Sequence, residues 1–156
     1  MAEISISEFA DKTKRKMDAV VRSFVLEIGS TLVQESPVGD PKKWSAEFVT
    51  AATKLGWIGE GYVGGRFKGN WQYGFRAAPD GDLETIDKSG DASNARIEIG
   101  VHSSPAAGVH YLVNNLPYAQ ALEDGHSGQA PTGVVSLTMI EAPQILREIA
   151  TNANKS

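Results

Sequence analysis

Glu123, Asp124 and His126 place two carboxylates and an imidazole in one short run, the residue types of an acid–base or metal site. A metal site needs several ligands that converge. The only other imidazoles, His102 and His110, stand eight residues apart, which is not a standard ligand spacing. Asp124 and His126 are too close in sequence to face each other on a helix. Ser127 beside His126 supplies the nucleophile and base of a hydrolase, but adjacent residues do not easily present themselves to each other, and no Gly-x-Ser-x-Gly elbow occurs. The run from Gly61 to Gly69 is glycine-rich, yet it lacks the Gly-Lys-Ser/Thr phosphate cradle and precedes a predicted strand, not a helix. The residues therefore predict no metal, no cofactor and no catalysis. Glu123 and His126 are expected to hold the shape of their loop by hydrogen bonds or to form a salt bridge across a subunit boundary. A small hydrolase using Glu123 and His126 is the alternative.

The segment that carries them, residues 114–135, contains Gly125, Gly128 and Gly133 with Pro117 and Pro131. Glycine permits backbone angles that other residues resist, and proline fixes φ and removes a donor. The path is therefore irregular but specified, and such paths on a scaffold are where contacts concentrate. Asn114 and Asn115 are turn formers whose amides bond nearby backbone. Tyr118 and Trp71 are amphipathic aromatics, suited to a core or to an interface.

The elements around this segment follow from periodicity. Residues 5–35 predict one long helix: Ser5 and Glu8 fit a capping box, and Phe9, Thr13, Met17, Val20, Val21, Phe24, Val25, Ile28 and Leu32 form one stripe. Ser36-Pro37 ends it. Residues 37–70 predict a long loop with a short helix over 46–55 and with Trp44, Phe48, Trp57, Tyr62 and Phe67 interspersed. A loop of that length with so many aromatics is expected to be buried, against a neighbouring subunit or against its own core. Arg66 and Lys68 are expected at a solvated surface or paired with acids of a neighbour. About four strands are predicted, over residues 71–77, 83–87, 95–102 and 109–114. The cleanest alternation is Ile97, Ile99 and Val101 against Arg96, Glu98 and Gly100. Residues 88–94 predict a turn, 117–123 a short helix, and 137–152 a last helix that Pro143 kinks or restarts. Residues 152–156 predict a frayed tail. The fold class is α+β in a single domain over 1–156, with the long N-terminal helix and the C-terminal helix packed on an antiparallel sheet of about four strands.

Composition narrows the function classes. The chain has 156 residues, 41% hydrophobic and 22% charged, ordinary values for one globular domain. It has no cysteine, which excludes disulfides and thiolate chemistry. No apolar run approaches the roughly 18 residues of a membrane span, and the acidic, mixed N-terminus is unlike a signal peptide. The net charge of −4 argues against a dedicated nucleic-acid binder. The one basic cluster, Lys12, Lys14, Arg15 and Lys16, reads as a solvated helix face.

Two blocks carry a resemblance. One is Asn114-Asn115-Leu116-Pro117-Tyr118-Ala119 with Leu122-Glu123, Gly125-His126-Ser127 and Gln129-Ala130-Pro131. The other is Ser36-Pro37-Val38-Gly39-Asp40-Pro41, Trp44, and the run from Gly61-Tyr62 through Arg66-Phe67 to Asn70-Trp71-Gln72. In this order they resemble the head–tail joining, or tail-completion, neck proteins of tailed phages, over residues 5–150. The stretch 41–60 between the proline-valine block and the glycine-arginine-phenylalanine block departs from the commoner family pattern as an insertion. The resemblance implies a structural virion protein assembled in the host bacterial cytoplasm, in a hexameric or dodecameric ring. The implied partners are the tail terminator or tail tube and a head-side adaptor, with double-stranded DNA passing through the lumen without sequence-specific binding. A mildly acidic lumen would repel phosphates and let the duplex slide. The residues expected at subunit or neck contacts are Trp44, Trp57, Tyr62, Arg66, Trp71, Asn115, Tyr118, Glu123, His126 and Gln129.

Overall fold

A computed structural model describes residues 5–155. Helix α1 (Ile6–Glu35) begins at the capping box read from the sequence: the Glu8 amide donates to Ser5 Oγ at 3.2 Å and the Ser5 amide to Glu8 Oε2 at 2.8 Å. It ends where Ser36 Oγ takes over, donating to the Leu32 carbonyl at 2.7 Å. At 1.5 Å per residue α1, with 30 residues, is about 45 Å long. A 3₁₀ turn (Pro41–Lys43), α2 (Ala46–Lys54) and the one-turn α3 (Arg66–Gly69) follow, then strand β1 (Gln72–Phe75), helix α4 (Asp91–Ser103), strand β2 (His110–Val113), the short α5 (Ala119–Glu123) and the long α6 (Val134–Lys155). The class is α+β, dominated by helix.

The expected four-stranded sheet is corrected. Among the described residues the sheet has two strands, β1 and β2, antiparallel with Gln72 opposite Val113 and Phe75 opposite His110. Residues 83–87 form no strand. The largest difference is at 95–102, where the alternating β-branched residues lie in α4. The buried positions there are Ser93, Ile97 and Val101, four apart, while Ile99 is 69% exposed. A helix buries i, i+4 and i+8, and these three satisfy it as well as the alternation satisfies a strand. Asp87 settles the choice. It is 6% exposed, and its carboxylate accepts from the Gly90 amide at 2.8 Å and the Ser93 amide at 2.9 Å, filling the donors of the first turn of α4. The turn expected over 88–94 therefore gives way to helix at Asp91.

Gly100 lets α4 approach the sheet closely, since a Cβ at that position would run into the Tyr73 ring of β1. The core gathers Leu32 and Val33 of α1, Phe67 and Trp71, Ile97 and Val101 of α4, Leu116, Tyr118 and Val134. Burying each large side chain contributes about 1.5–3 kcal/mol. The most extensive pairing of elements is α1 against α6. Helix α6 begins three residues earlier than read from the sequence and continues to Lys155, so the frayed tail expected over 152–156 is corrected for the described positions. It is one continuous helix through Pro143, with no restart.

The N-terminal part of α1 leaves the body. Every residue from Ser5 to Arg15 is exposed. Several apolar side chains there are largely exposed: Ile6 is 89% exposed, Phe9 62% and Met17 64%, while Val20 is half-buried. The stripe read from the sequence is thus core only in its later part, where Leu32 is buried and Val25 and Ile28 pack on the buried cluster.

Candidate functional site: an aromatic cavity between two loops

The segments 37–62 and 118–129, far apart in sequence, face each other across a cavity of about 600 Å³. Phe67 and Tyr118, both in the core, hold the two segments at this distance, with ring centroids 6.3 Å apart. Gln129 stitches them at the rim. Its Oε1 accepts from the Val38 amide at 3.2 Å and its Nε2 donates to the Val38 carbonyl at 3.0 Å, so one side chain pairs with backbone as a strand would.

The wall is aromatic. Trp44 stacks on Tyr62 at 5.5 Å with 24° between planes, and Phe48, one turn into α2, meets Trp44 edge-on at 5.1 Å. Trp57 lies 6.2 Å from Tyr118. Six residues read from the sequence meet here: Trp44, Trp57, Tyr62, Tyr118, His126 and Gln129. Lys43, Phe48, Ile58, Phe67 and Leu122 also line the cavity. They were not singled out as contact residues, although the four-residue spacing of Trp44 and Phe48 is a signal that they share a face. The Tyr118 hydroxyl is buried and lies beside the Tyr62 side chain. Burial, with Tyr62 beside it, pushes its pKa well above the ordinary phenol value, and burial raises that of Tyr62 as well.

The other sequence-read residues are held inside the subunit. Trp71 is 2% exposed and donates from Nε1 to Ser36 Oγ at 2.7 Å, which pins the end of α1 to the core. Asn115 donates to the Pro79 and Gly81 carbonyls at 3.0 and 2.9 Å and fixes that turn. Arg66 pairs with Asp82 at 2.7 Å within the chain, and its Nε is buried without a partner among the described residues. Lys68 is also buried, its Nζ 3.4 Å from the Gln34 carbonyl.

Glu123 caps α6 from eleven residues away. Oε2 accepts from the Val134 and Val135 amides at 2.9 and 2.8 Å, and Oε1 from the Ser136 amide at 2.8 Å and hydroxyl at 2.5 Å. Gly133, at φ 85°, makes the approach possible, because a Cβ there would strike the Glu123 carbonyl. Partial burial works against the charge, but the Ser136 hydroxyl and the three backbone donors outweigh it and hold the carboxyl below its usual range. Because the folded pKa is depressed, the stabilisation is present above the unfolded value of about 4.3 and disappears as pH falls through the folded pKa. Glu123→Gln is expected to cost about 1–2 kcal/mol at pH 7, with the gap from the unsubstituted protein closing below pH 4. Denaturant unfolding at pH 7 and pH 3 checks both.

His126 is exposed, and its backbone amide donates to the Ala121 carbonyl at 3.1 Å. Ser127 Oγ accepts from the Gln129 amide at 3.2 Å. Among the described residues no group of three or more histidines and carboxylates is placed to hold a metal ion, and no helix is long and apolar enough to cross a membrane. No protein-family model, no curated protein and no solved structure matches the chain.

Proposed function

We propose that the chain is a structural protein of a tailed-phage neck, a subunit of a closed ring that joins head to tail and lets DNA pass. The observation that carries this reading is the bare stretch of α1. The apolar side chains at the start of α1 are exposed and add little packing to it, although most helical stability in proteins comes from packing one face. Burying Phe9 and Met17 on another molecule would return about 1.5–3 kcal/mol each. Charge favours a second copy as that molecule. Residues 5–22 carry five cations and three acids, so of the net −4 they hold +2 and the remainder of the chain −6. A positive arm on one subunit suits the negative body of the next, a head-to-tail contact that closes a ring by rotation. The two sequence blocks that resemble neck proteins converge on the aromatic cavity, leaving that surface for a different partner.

The hydrolase reading is less well supported. Both Glu123 oxygens are occupied by α6, so Glu123 is not free to orient His126. In a phage that encodes this chain, deleting its gene is expected to leave filled heads and finished tails unjoined, with infectivity restored by the wild-type gene in trans. Joined, infectious particles from the deletion strain would rule the proposal out.

A further inference from the structure

We infer that the exposed N-terminal arm of α1 in one subunit docks on the apolar stripe of α6, formed by Val135, Met139 and Leu146, of the next copy. This contact rests on the reading of the chain as a ring subunit, and adds to it the surface that receives the arm.

Every copy carries both halves of the contact. On α6, Val135, Met139 and Leu146 are exposed, and their helical spacing puts them on one side. It lies beside the side that α6 buries within the subunit, which runs through Val134, Thr138 and Ala142. On the arm, Ile6, Phe9 and Met17 are exposed along one side of α1. The stripes match in length: Ile6 to Met17 and Val135 to Leu146 are the same number of residues apart, a rise of about 17 Å.

Charge selects the same pairing. Between Arg96 and Arg147 the chain has no lysine or arginine, and that run holds the acids Glu98, Glu123, Asp124 and Glu141. Glu141 lies on α6, Glu123 sits against its first turn, and Asp124 follows Glu123. At the far end of the stripe Arg147 is offset by Glu148. The arm has the opposite sign. Its Lys12, Arg15 and Lys16 make no ion pair among the described residues. An apolar stripe flanked by cations therefore meets an apolar stripe in an acidic surrounding. Pairing arm with arm would set like charges together. The contact is head to tail, and in a closed ring each copy gives one arm and receives one.

The test combines sedimentation velocity with cross-linking of the full chain, which has no cysteine of its own. Met139→Glu combined with Leu146→Glu is expected to weaken assembly at least about a hundredfold while the thermal midpoint stays nearly unchanged. Thr13 stands in the middle of the arm stripe and is exposed. Copies carrying Thr13→Cys, mixed with copies carrying Met139→Cys, are expected to be joined by a short bis-maleimide cross-linker. The yield should be several times that of either population alone, or of Thr13→Cys copies mixed with copies carrying Lys54→Cys on α2. This second measurement adds no charge to the stripe, so a folding defect in the first variant does not decide the matter. A folded glutamate variant that assembles like the unsubstituted chain, or a mixed product no more abundant than with Lys54→Cys, would overturn the docking site and leave self-association standing. An unsubstituted chain that stays monomeric at every concentration would overturn the ring reading and the docking site together.

Discussion

Phe9→Glu combined with Met17→Glu is expected to leave the subunit folded and to abolish its self-association. Both side chains are more than 60% exposed on α1, so the fold loses almost nothing when they become charged. Surface changes of this kind ordinarily shift stability by less than about 0.5 kcal/mol. The cost falls wholly on the interface. Two apolar contacts are lost, and two carboxylates are carried against a body that from residue 23 onward already holds −5. Forfeiting about 3–6 kcal/mol of burial, before repulsion, weakens association by at least about a hundredfold. Sedimentation velocity should show monomer at concentrations where the unsubstituted chain assembles, with an unchanged thermal midpoint. Wild-type assembly in the variant would mean that α1 is not the contact.

Asp87→Ala is expected to be the most damaging single change to the fold away from the apolar core. The side chain is almost fully buried, and its removal strands the Gly90 and Ser93 amides at the start of α4. Losing a helix cap costs about 0.5–2 kcal/mol, and each unsatisfied buried donor about 1–3. A total near 3 kcal/mol lowers the midpoint by roughly 6–12 °C for a domain of this size. Burial opposes the charge of Asp87, but the Ser93 and Gly90 amides and the serine hydroxyls prevail and hold its carboxyl below the usual range. The stabilisation is therefore full above the unfolded value of about 3.9 and lost as pH falls through the folded pKa. Differential scanning calorimetry at pH 7 and pH 3 should show a large gap that shrinks in acid. An equal gap at both pH values would mean that the charge is not what Asp87 contributes.

The helical frame was legible because its signals are local. The capping box at Ser5 and Glu8 and the stop at Ser36-Pro37 each lie within a few residues of what they determine, whereas α6 buries Val134, Thr138 and Ala142 and exposes Met139, Ile140 and Leu146, whose spacing suggested an inward face. β1 and β2 were legible as alternating aromatic and aliphatic runs. Helix α4 was misread because Ile97, Ile99 and Val101 alternate, while the cap that makes the segment helical sits at Asp87, outside the window that alternation samples. The site was legible by residue type and not by geometry. Trp44, Trp57, Tyr62, Tyr118, His126 and Gln129 meet at one cavity, but it takes the tertiary contacts of Tyr118 with Phe67 and Trp57, and of Gln129 with Val38, to bring their segments together. Glu123 was read as a loop or interface group because its use as a cap depends on Gly133, which folds α6 back onto it.

Negative-stain electron microscopy of the purified chain over rising concentration tests the central claim most directly. The account predicts closed rings of six or twelve subunits with a central hole that admits duplex DNA, absent from the Phe9→Glu, Met17→Glu variant. Particles that remain single 16.7 kDa subunits at every concentration, or that stop at two-fold dimers with no channel, would contradict it.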